Sequence, residues 1–222
     1  MIRKSQKLSQ VRKIFGKNSK NRSKFWKVKR AIDLIIATFG IFVFLIPMLI
    51  ITLVVFLEDR HNPIYSQERV GRFGKTFKMY KFRTMVPDAD KMLDQILEFN
   101  EMDGPVFKIK DDKRITKVGK FLRKTSLDEL PQFFNVLKGD MTIIGPRPPL
   151  PKEVAKYTEY HKIRLLVTPG LTCIWQASPN RNSIPFEDWV NMDIDYVLNR
   201  TLLLDIKIIL MTVRAMVCSE GQ

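Results

Sequence analysis

The chain has 222 residues, 45% of them hydrophobic, and a formal net charge of +15. That length gives one ordinary domain with appendages and a core of its own. Two isolated cysteines, Cys173 and Cys218, exclude a disulfide framework, and two histidines, His61 and His161, argue against a His/Cys zinc site.

The charge is unevenly placed. Residues 1–30 hold twelve Lys or Arg and no acid, which leaves +3 for the rest. A basic arm over 1–28 suits a polyanion, either nucleic acid or anionic lipid. Its position beside an apolar run favours lipid, where each basic residue near an anionic surface contributes about 1 kcal/mol. A solvated arm that only sets topology is the plainer alternative.

Leu34–Leu57 is free of charge and, at about 1.5 Å per residue, long enough to cross a bilayer core of roughly 30 Å. It is too long for a cleaved leader and has no small-residue cleavage site after it. Pro47 divides it into two arms, each about half a bilayer long at helical rise. Proline inside a helix removes one hydrogen bond and favours a kink. Both flanks are basic, and the positive-inside rule places both in the cytoplasm. A re-entrant helix–break–helix hairpin over 29–58 meets that demand better than a single span. Thr38 and Thr52 are hydroxyls available to backbone groups freed at Pro47.

Beyond Asn62-Pro63 the pattern turns to strands. Ile64–Val70 and Lys75–Met85, separated by Gly71-Arg72-Phe73-Gly74, predict a β-hairpin. Strand alternation places Lys81 and Arg83 on one face, either to grip a diphosphate or to form a solvated edge. Ala89, Met92, Leu93, Ile96 and Leu97 predict an amphipathic helix over 87–99, and a second helix is expected over Lys113–Lys124.

Pro131 is tolerated only in a first helical turn, so the next helix should begin near Asp128. Asp128 or Ser126 would be its N-cap, and Ser126 and Glu129 are spaced as a capping box. An acidic pair at a helix start is commonly just a favourable end charge. The same placement holds a carboxylate ionised, as a nucleophile requires. A strand edge over Thr142–Leu150 ends in Gly145-Pro146-Arg147-Pro148-Pro149, where flanking prolines keep Arg147 extended and rigid. This suits a planar fork aimed at phosphate, or simply a surface turn. Phe186–Leu198 and Leu202–Val217 predict two helices. The second is interrupted by Asp205, Lys207 and Arg214 and should pack or lie at a membrane interface without spanning it.

Several of these stretches carry a family resemblance: Lys29-Arg30-Ala31-Ile32-Asp33, Ser66–Gly71, Lys81-Phe82-Arg83-Thr84-Met85, Asp111–Ile115, Arg123–Gln132, Gly145–Pro148, Pro169–Thr172 and Trp175-Gln176. From about residue 27 to the C-terminus the sequence resembles the bacterial sugar transferases of the monotopic phosphoglycosyl transferase superfamily, which begin capsule, exopolysaccharide or O-antigen assembly. Cys173 stands where the family has glycine. Ser178-Pro179-Asn180-Arg181-Asn182 departs from the commoner Ser-Gly-Arg-Asn, which leaves the sugar open. The multi-span N-terminal region of larger members has no expected counterpart here.

The resemblance implies an α+β, membrane-associated protein with a cytoplasmic catalytic domain over 59–222, on the bacterial inner membrane. It implies transfer of a sugar 1-phosphate, by the C-terminal wording a hexose 1-phosphate, from a UDP-sugar to undecaprenyl phosphate with release of UMP. Asp128 would be the nucleophile that forms a covalent phosphosugar. Glu129 would be a Mg²⁺ ligand or base, with Asp128 also near the metal. Lys81, Arg83, Arg123 and Arg147 would bind phosphate. Anionic lipid is a further implied partner, a homodimer is open, and nucleic acid is not expected. A membrane-anchored basic scaffold without catalysis is the competing reading.

Overall fold

A computed structural model of the protein describes residues 4–15, 20–89, 91–92, 104–105, 109 and 112–217. Helix α1 spans Lys4–Phe15 and α2 spans Lys20–Asp59. Strands β1 (Ile64–Val70) and β2 (Thr76–Phe82) pair antiparallel in a register that sets Tyr65 opposite Lys81. Then come α3 (Lys117–Lys124), a 3₁₀ turn at Leu127–Glu129, α4 (Gln132–Lys138), β3 (Thr142–Ile144) and the short α5 (Pro151–Val154). A 3₁₀ segment at His161–Leu166 leads to β4 (Gly170–Thr172), which pairs parallel with β3. The chain closes with α6 (Phe186–Asn199) and α7 (Leu202–Val217), both at the predicted positions.

The expected break at Pro47 is absent: α2 is one continuous helix from Lys20 to Asp59, and it runs across the predicted boundary near residue 28. Proline's fixed φ of about −65° is itself helical, so the cost is one hydrogen bond and a clash with the carbonyl four residues back. The Thr52 hydroxyl donates to the Met48 carbonyl at 2.7 Å, a local back-bond that does not serve the Val43 carbonyl left without its usual donor.

The packing of α2 is two-sided. Ala37 is buried among Val136, Ile143, Ile144 and Ile208, while Met48 and Val55 are buried against Phe82, Leu122 and Leu130. The opposite face, including Phe39, Phe42, Ile46, Leu49 and Leu53, is exposed, and only 17% of the most apolar stretch is buried. A soluble core helix would be mostly covered, so α2 is a membrane-associating element. Both of its polar ends are fastened to the same body. Near its start Lys29 pairs with Asp205 at 2.7 Å, and Asp33 accepts from the Thr142 hydroxyl (2.6 Å) and the Ile143 N–H (3.0 Å). Near its end the Glu58 carboxylate accepts from the Val118 N–H at 3.1 Å.

The start of the basic arm is not free. Leu8, Val11 and Phe15 of α1 pack against the cluster around Trp189 and Ile194. Lys4 pairs with Glu187 at 2.8 Å and Lys7 with Asp195 at 2.7 Å, so α1 is docked on α6. On α7, Leu203, Ile206, Leu210 and Val213 are exposed, in keeping with an interfacial helix.

Two other expectations shift. The second helix starts at Lys117 and not at Lys113, because Thr116 caps it by accepting from the Gly119 N–H. The amphipathic helix expected over 87–99 falls mostly outside the described residues; residues 87–89 and 91–92 are turns.

Asn135 is the small part that locks strand to helix. Fully buried on α4, it accepts from the Tyr80 N–H (2.9 Å) and donates to the Lys78 carbonyl (2.7 Å), occupying the free edge of β2. Asn135→Ala leaves both backbone groups unsatisfied and should destabilise the fold by about 3 kcal/mol. Lys138→Ala, on the exposed face, should leave the unfolding midpoint almost unchanged.

Candidate active site

Three segments meet around Asp128. Lys81 comes from the end of β2, Arg147 from the turn after β3, and the acidic pair from the turn between α3 and α4. That last turn differs from the predicted capping box. Ser126 has a left-handed conformation (φ 57°) and makes no side-chain cap; Pro131 is the N-cap of α4, which begins at Gln132. Leu130 is buried between α2 and α3, with Leu127 packed at the same place. Seating both leucines requires an extra reversal before the helix, and that reversal turns Asp128 inward, where it is buried.

Lys81 Nζ lies 2.7 Å from Glu129 Oε1 and 3.5 Å from Asp128 Oδ2. One ammonium therefore bridges adjacent carboxylates. Arg123, on α3, donates from Nε to the Thr84 hydroxyl at 2.9 Å, and its charge acts on Asp128. Among the described residues no contact joins Arg83 to the acids. Strand β2 ends at Phe82, the Arg83 N–H bonds the Pro63 carbonyl at 2.8 Å, and its Nε is buried without a partner.

The Arg147 turn is held carbonyl by carbonyl. Arg69 donates to Pro148 O at 3.0 Å, and the Val70 N–H donates to Pro149 O at 2.9 Å. Beneath it the β3–β4 backbones touch so closely that a Cβ at Gly170 would lie 2.1 Å from the Gly145 nitrogen, which explains glycine in both motifs. Arg147 lies over Trp175, which stacks on Trp189 at 4.2 Å between ring centroids. Arg164, buried and paired with Asp193 at 2.5 Å, lies over the other face of this assembly at Trp189.

The sequence reading missed two arginines. The 3₁₀ turn at Arg181–Ser183 brings Arg181 close enough for its charge to act on both Glu129 and Asp128. Its own carbonyl accepts from Trp175 Nε1 at 2.9 Å. Arg69, buried on β1, lines a shallow cleft together with Lys81, Glu129, Gln132, Arg147 and Gln176. Burial, then the neighbouring Arg147 charge, lowers the Arg69 guanidinium to about 10, so it remains a cation at neutral pH. The Ser178–Asn182 departure was a visible signal for Arg181, and the Ser66–Gly71 motif contains Arg69 without singling it out.

The two carboxylates differ in character. Burial raises Asp128, and the Glu129 charge adds to this against the opposing pull of Lys81 and Arg123. Burial also acts to raise Glu129, but Lys81, Arg147 and Arg181 outweigh it, and Glu129 ends below the ordinary glutamate value. The turn thus does not hold Asp128 ionised by itself, contrary to the helix-start argument; Lys81 and Arg123 offset only part of what burial does, and Asp128 stays raised. Among the described residues no group of three His, Cys, Asp or Glu could hold a metal. The pair nonetheless fits magnesium, which takes one or two carboxylates and fills its shell with substrate phosphates and water. Their convergence on one ammonium shows that both already face a cation.

A membrane-associating helix thus stands beside a cationic cleft with paired acids. The bacterial sugar transferase family matches residues 24–219, and the chain belongs to that family. It is 43% identical over 209 residues to the galactosyl transferase CpsE of Streptococcus agalactiae serotype III, covering 89% of this chain and 45% of that protein. It is 40% identical over 207 residues to the undecaprenyl-phosphate galactose phosphotransferase of Salmonella typhimurium, covering 91% and 43%. It is 38% identical over 197 residues to the exopolysaccharide production protein ExoY of Sinorhizobium fredii, covering 87% of each. The chain thus spans under half the length of the first two.

The opposed influences on Asp128 give a test with two signs. Lys81→Met removes a cation that lowers Asp128, so its carboxyl, followed by its ¹³C shift, should titrate at higher pH. Glu129→Gln removes a like charge, so the same titration should move to lower pH. Shifts in one common direction would contradict the arrangement.

Proposed function

We propose that the protein transfers a sugar 1-phosphate, a hexose 1-phosphate, from a UDP-sugar to undecaprenyl phosphate, releasing UMP. This would be the first membrane step of a surface polysaccharide. The observation that carries the reading is the Asp128–Lys81–Glu129 contact, in which Lys81 and Glu129 line a cleft with Arg69 and Arg147, on a body fastened along an apolar helix. The relatives' names add support: one is a phosphotransferase on undecaprenyl phosphate, and galactose recurs among them.

In the first half-reaction an Asp128 carboxylate oxygen attacks the β-phosphorus, and the bond from that phosphorus to the oxygen bridging to UMP breaks. UMP leaves with the electron pair and the sugar phosphate remains on Asp128. In the second, an oxygen of the lipid phosphate attacks the same phosphorus and Asp128 departs as carboxylate. Splitting the transfer in this way gives each step a single anionic nucleophile. Lys81, with Arg123 and Arg147, offsets the charge developing on the phosphoryl oxygens. Mg²⁺ held by Glu129 and Asp128 together with the substrate phosphates would neutralise charge on the departing oxygen.

The body would sit on the cytoplasmic face of the inner membrane. Both polar ends of α2 engage one body, through Lys29 and Asp33 at the start and Glu58 at the end. This supports a helix whose two ends stay on one side of the bilayer, with its exposed apolar face turned to the lipid. Cysteines placed at residues 25 and 113 should then share one labelling accessibility in intact spheroplasts; opposite accessibilities would make α2 a simple span.

Magnesium-dependent UMP release from a UDP-sugar in the presence of a polyprenyl phosphate separates the enzyme from a lipid-binding scaffold. Asp128→Asn should reduce that release by at least about a thousandfold with folding retained, because an amide cannot serve as the nucleophile. Near wild-type release by this variant would remove Asp128 from the chemistry.

A further inference from the structure

Helix α2 presents one seam to the body. Ala37, Gly40, Phe44, Met48, Ile51 and Val55 follow one another at intervals of three and four, and all are buried or half-buried. Gly40 is the misfit among them. An interior glycine costs a helix about 1 kcal/mol relative to alanine, so its place in the seam needs a packing reason. That reason lies across the contact. A Cβ at Gly40 would stand 2.9 Å from Phe133 Cζ and 3.0 and 3.1 Å from the two Cε atoms of the same ring. The tip of the Phe133 ring thus meets the backbone of α2 end-on, where a larger residue has no room.

Phe133 stands in the first turn of α4, four residues after Glu129. It packs into the cluster around Ala37 and Ile143 and also into the cluster around Met48 and Leu130. At the other end of α4, Arg30 donates to the Val136 and Leu137 carbonyls at 2.6 and 2.9 Å. Helix α4 therefore lies along α2 on two mounts, Arg30 at its end and Gly40 at its start. The start matters more, because the acidic turn leads straight into it.

The catalytic segments are tied to one another by different contacts. Asn135 joins α4 to β2 through the Tyr80 N–H (2.9 Å) and the Lys78 carbonyl (2.7 Å), and Lys81 lies 2.7 Å from Glu129. Helix α4, the acids and Lys81 move as one unit. The Gly40–Phe133 contact spaces that unit from the helix whose outer face is apolar. A UDP-sugar comes to the unit from water, whereas a lipid phosphate comes from the surface that α2 meets.

We propose that Gly40 and Phe133 are positioning residues for the lipid half of the transfer: their close approach sets how far the Asp128–Glu129 turn stands from the membrane-associating helix. Neither residue touches a substrate. The proposal rests on the double-displacement reading, in which each half has a substrate of its own.

In such a mechanism kcat/KM for each substrate reports its own half. Full-length protein in nanodiscs of phosphatidylethanolamine and phosphatidylglycerol, given UDP-galactose or UDP-glucose and undecaprenyl phosphate, separates the two. Gly40→Ala should lower kcat/KM for undecaprenyl phosphate by about tenfold, since a misplacement of about 1 Å can cost a hundredfold. The value for the UDP-hexose should stay unchanged. Phe133→Leu in the same chain withdraws the ring tip and should restore the lipid value. Equal losses in both values, or no loss in either, overturn the proposal, as does a double variant no better than Gly40→Ala. Should Gly40→Ala fail to fold, Phe133→Leu alone, which opens the same spacing, should lower the lipid value selectively, and loss of both values would again be decisive against the proposal. A wild-type protein that releases no UMP from either UDP-hexose would sink the transfer reading instead.

Discussion

The ammonium of Lys81, set between Glu129 and Asp128, is the contact on which the rest of the site depends. Two adjacent carboxylates in a half-closed place repel each other and lose solvation, and each would tend toward protonation on its own. The bridging cation divides that conflict unequally. Glu129 takes the nearer contact and stays below its ordinary value, while Asp128 keeps the longer contact and a raised value. A carboxylate that is charged but incompletely satisfied is better suited to attack phosphorus than one locked in a full set of hydrogen bonds.

Much of the fold exists to hold three short segments in register at that contact. Asn135 fixes β2, and so Lys81, to α4, whose leading turn carries the acids. Buried leucines on either side of the pair anchor this turn against α2 and α3. The Arg147 turn rests on the Gly145–Gly170 crossing and on the Trp175–Trp189–Arg164 assembly. Because α2 contributes to the cores under both α3 and β3, its apolar outer face and the cleft belong to one packed unit. The site therefore stands at a fixed place relative to the apolar outer face of α2, as the proposed transfer to a lipid phosphate requires.

The sequence made local features legible and long-range ones not. The β1–β2 hairpin, α6 and α7 followed from alternation, turn glycines and helical spacing, and the apolar run announced a membrane element. Asp128, Glu129, Lys81, Arg123 and Arg147 were legible because motifs carry them. Arg83 follows β2 directly, and among the described residues no contact joins it to the acids. Proline chemistry predicted a break in α2, but a residue whose preferred φ is helical can remain in a helix whose face is packed along its length. The start of α4 was misjudged because leucine burial overrode the capping pattern. Arg69 and Arg181 reach the cleft through contacts with the Pro148 turn and the Gln176 loop, which no local periodicity encodes.

The central claim is that Asp128 carries the sugar phosphate between donor and acceptor. Incubating the protein with UDP-sugar and Mg²⁺ while withholding the lipid acceptor, followed by mass mapping of its peptides, tests this directly. The account predicts a peptide containing Asp128 heavier by one hexose phosphate, which disappears when a polyprenyl phosphate is added. UMP release without any adduct, or an adduct on a peptide lacking Asp128, would contradict it.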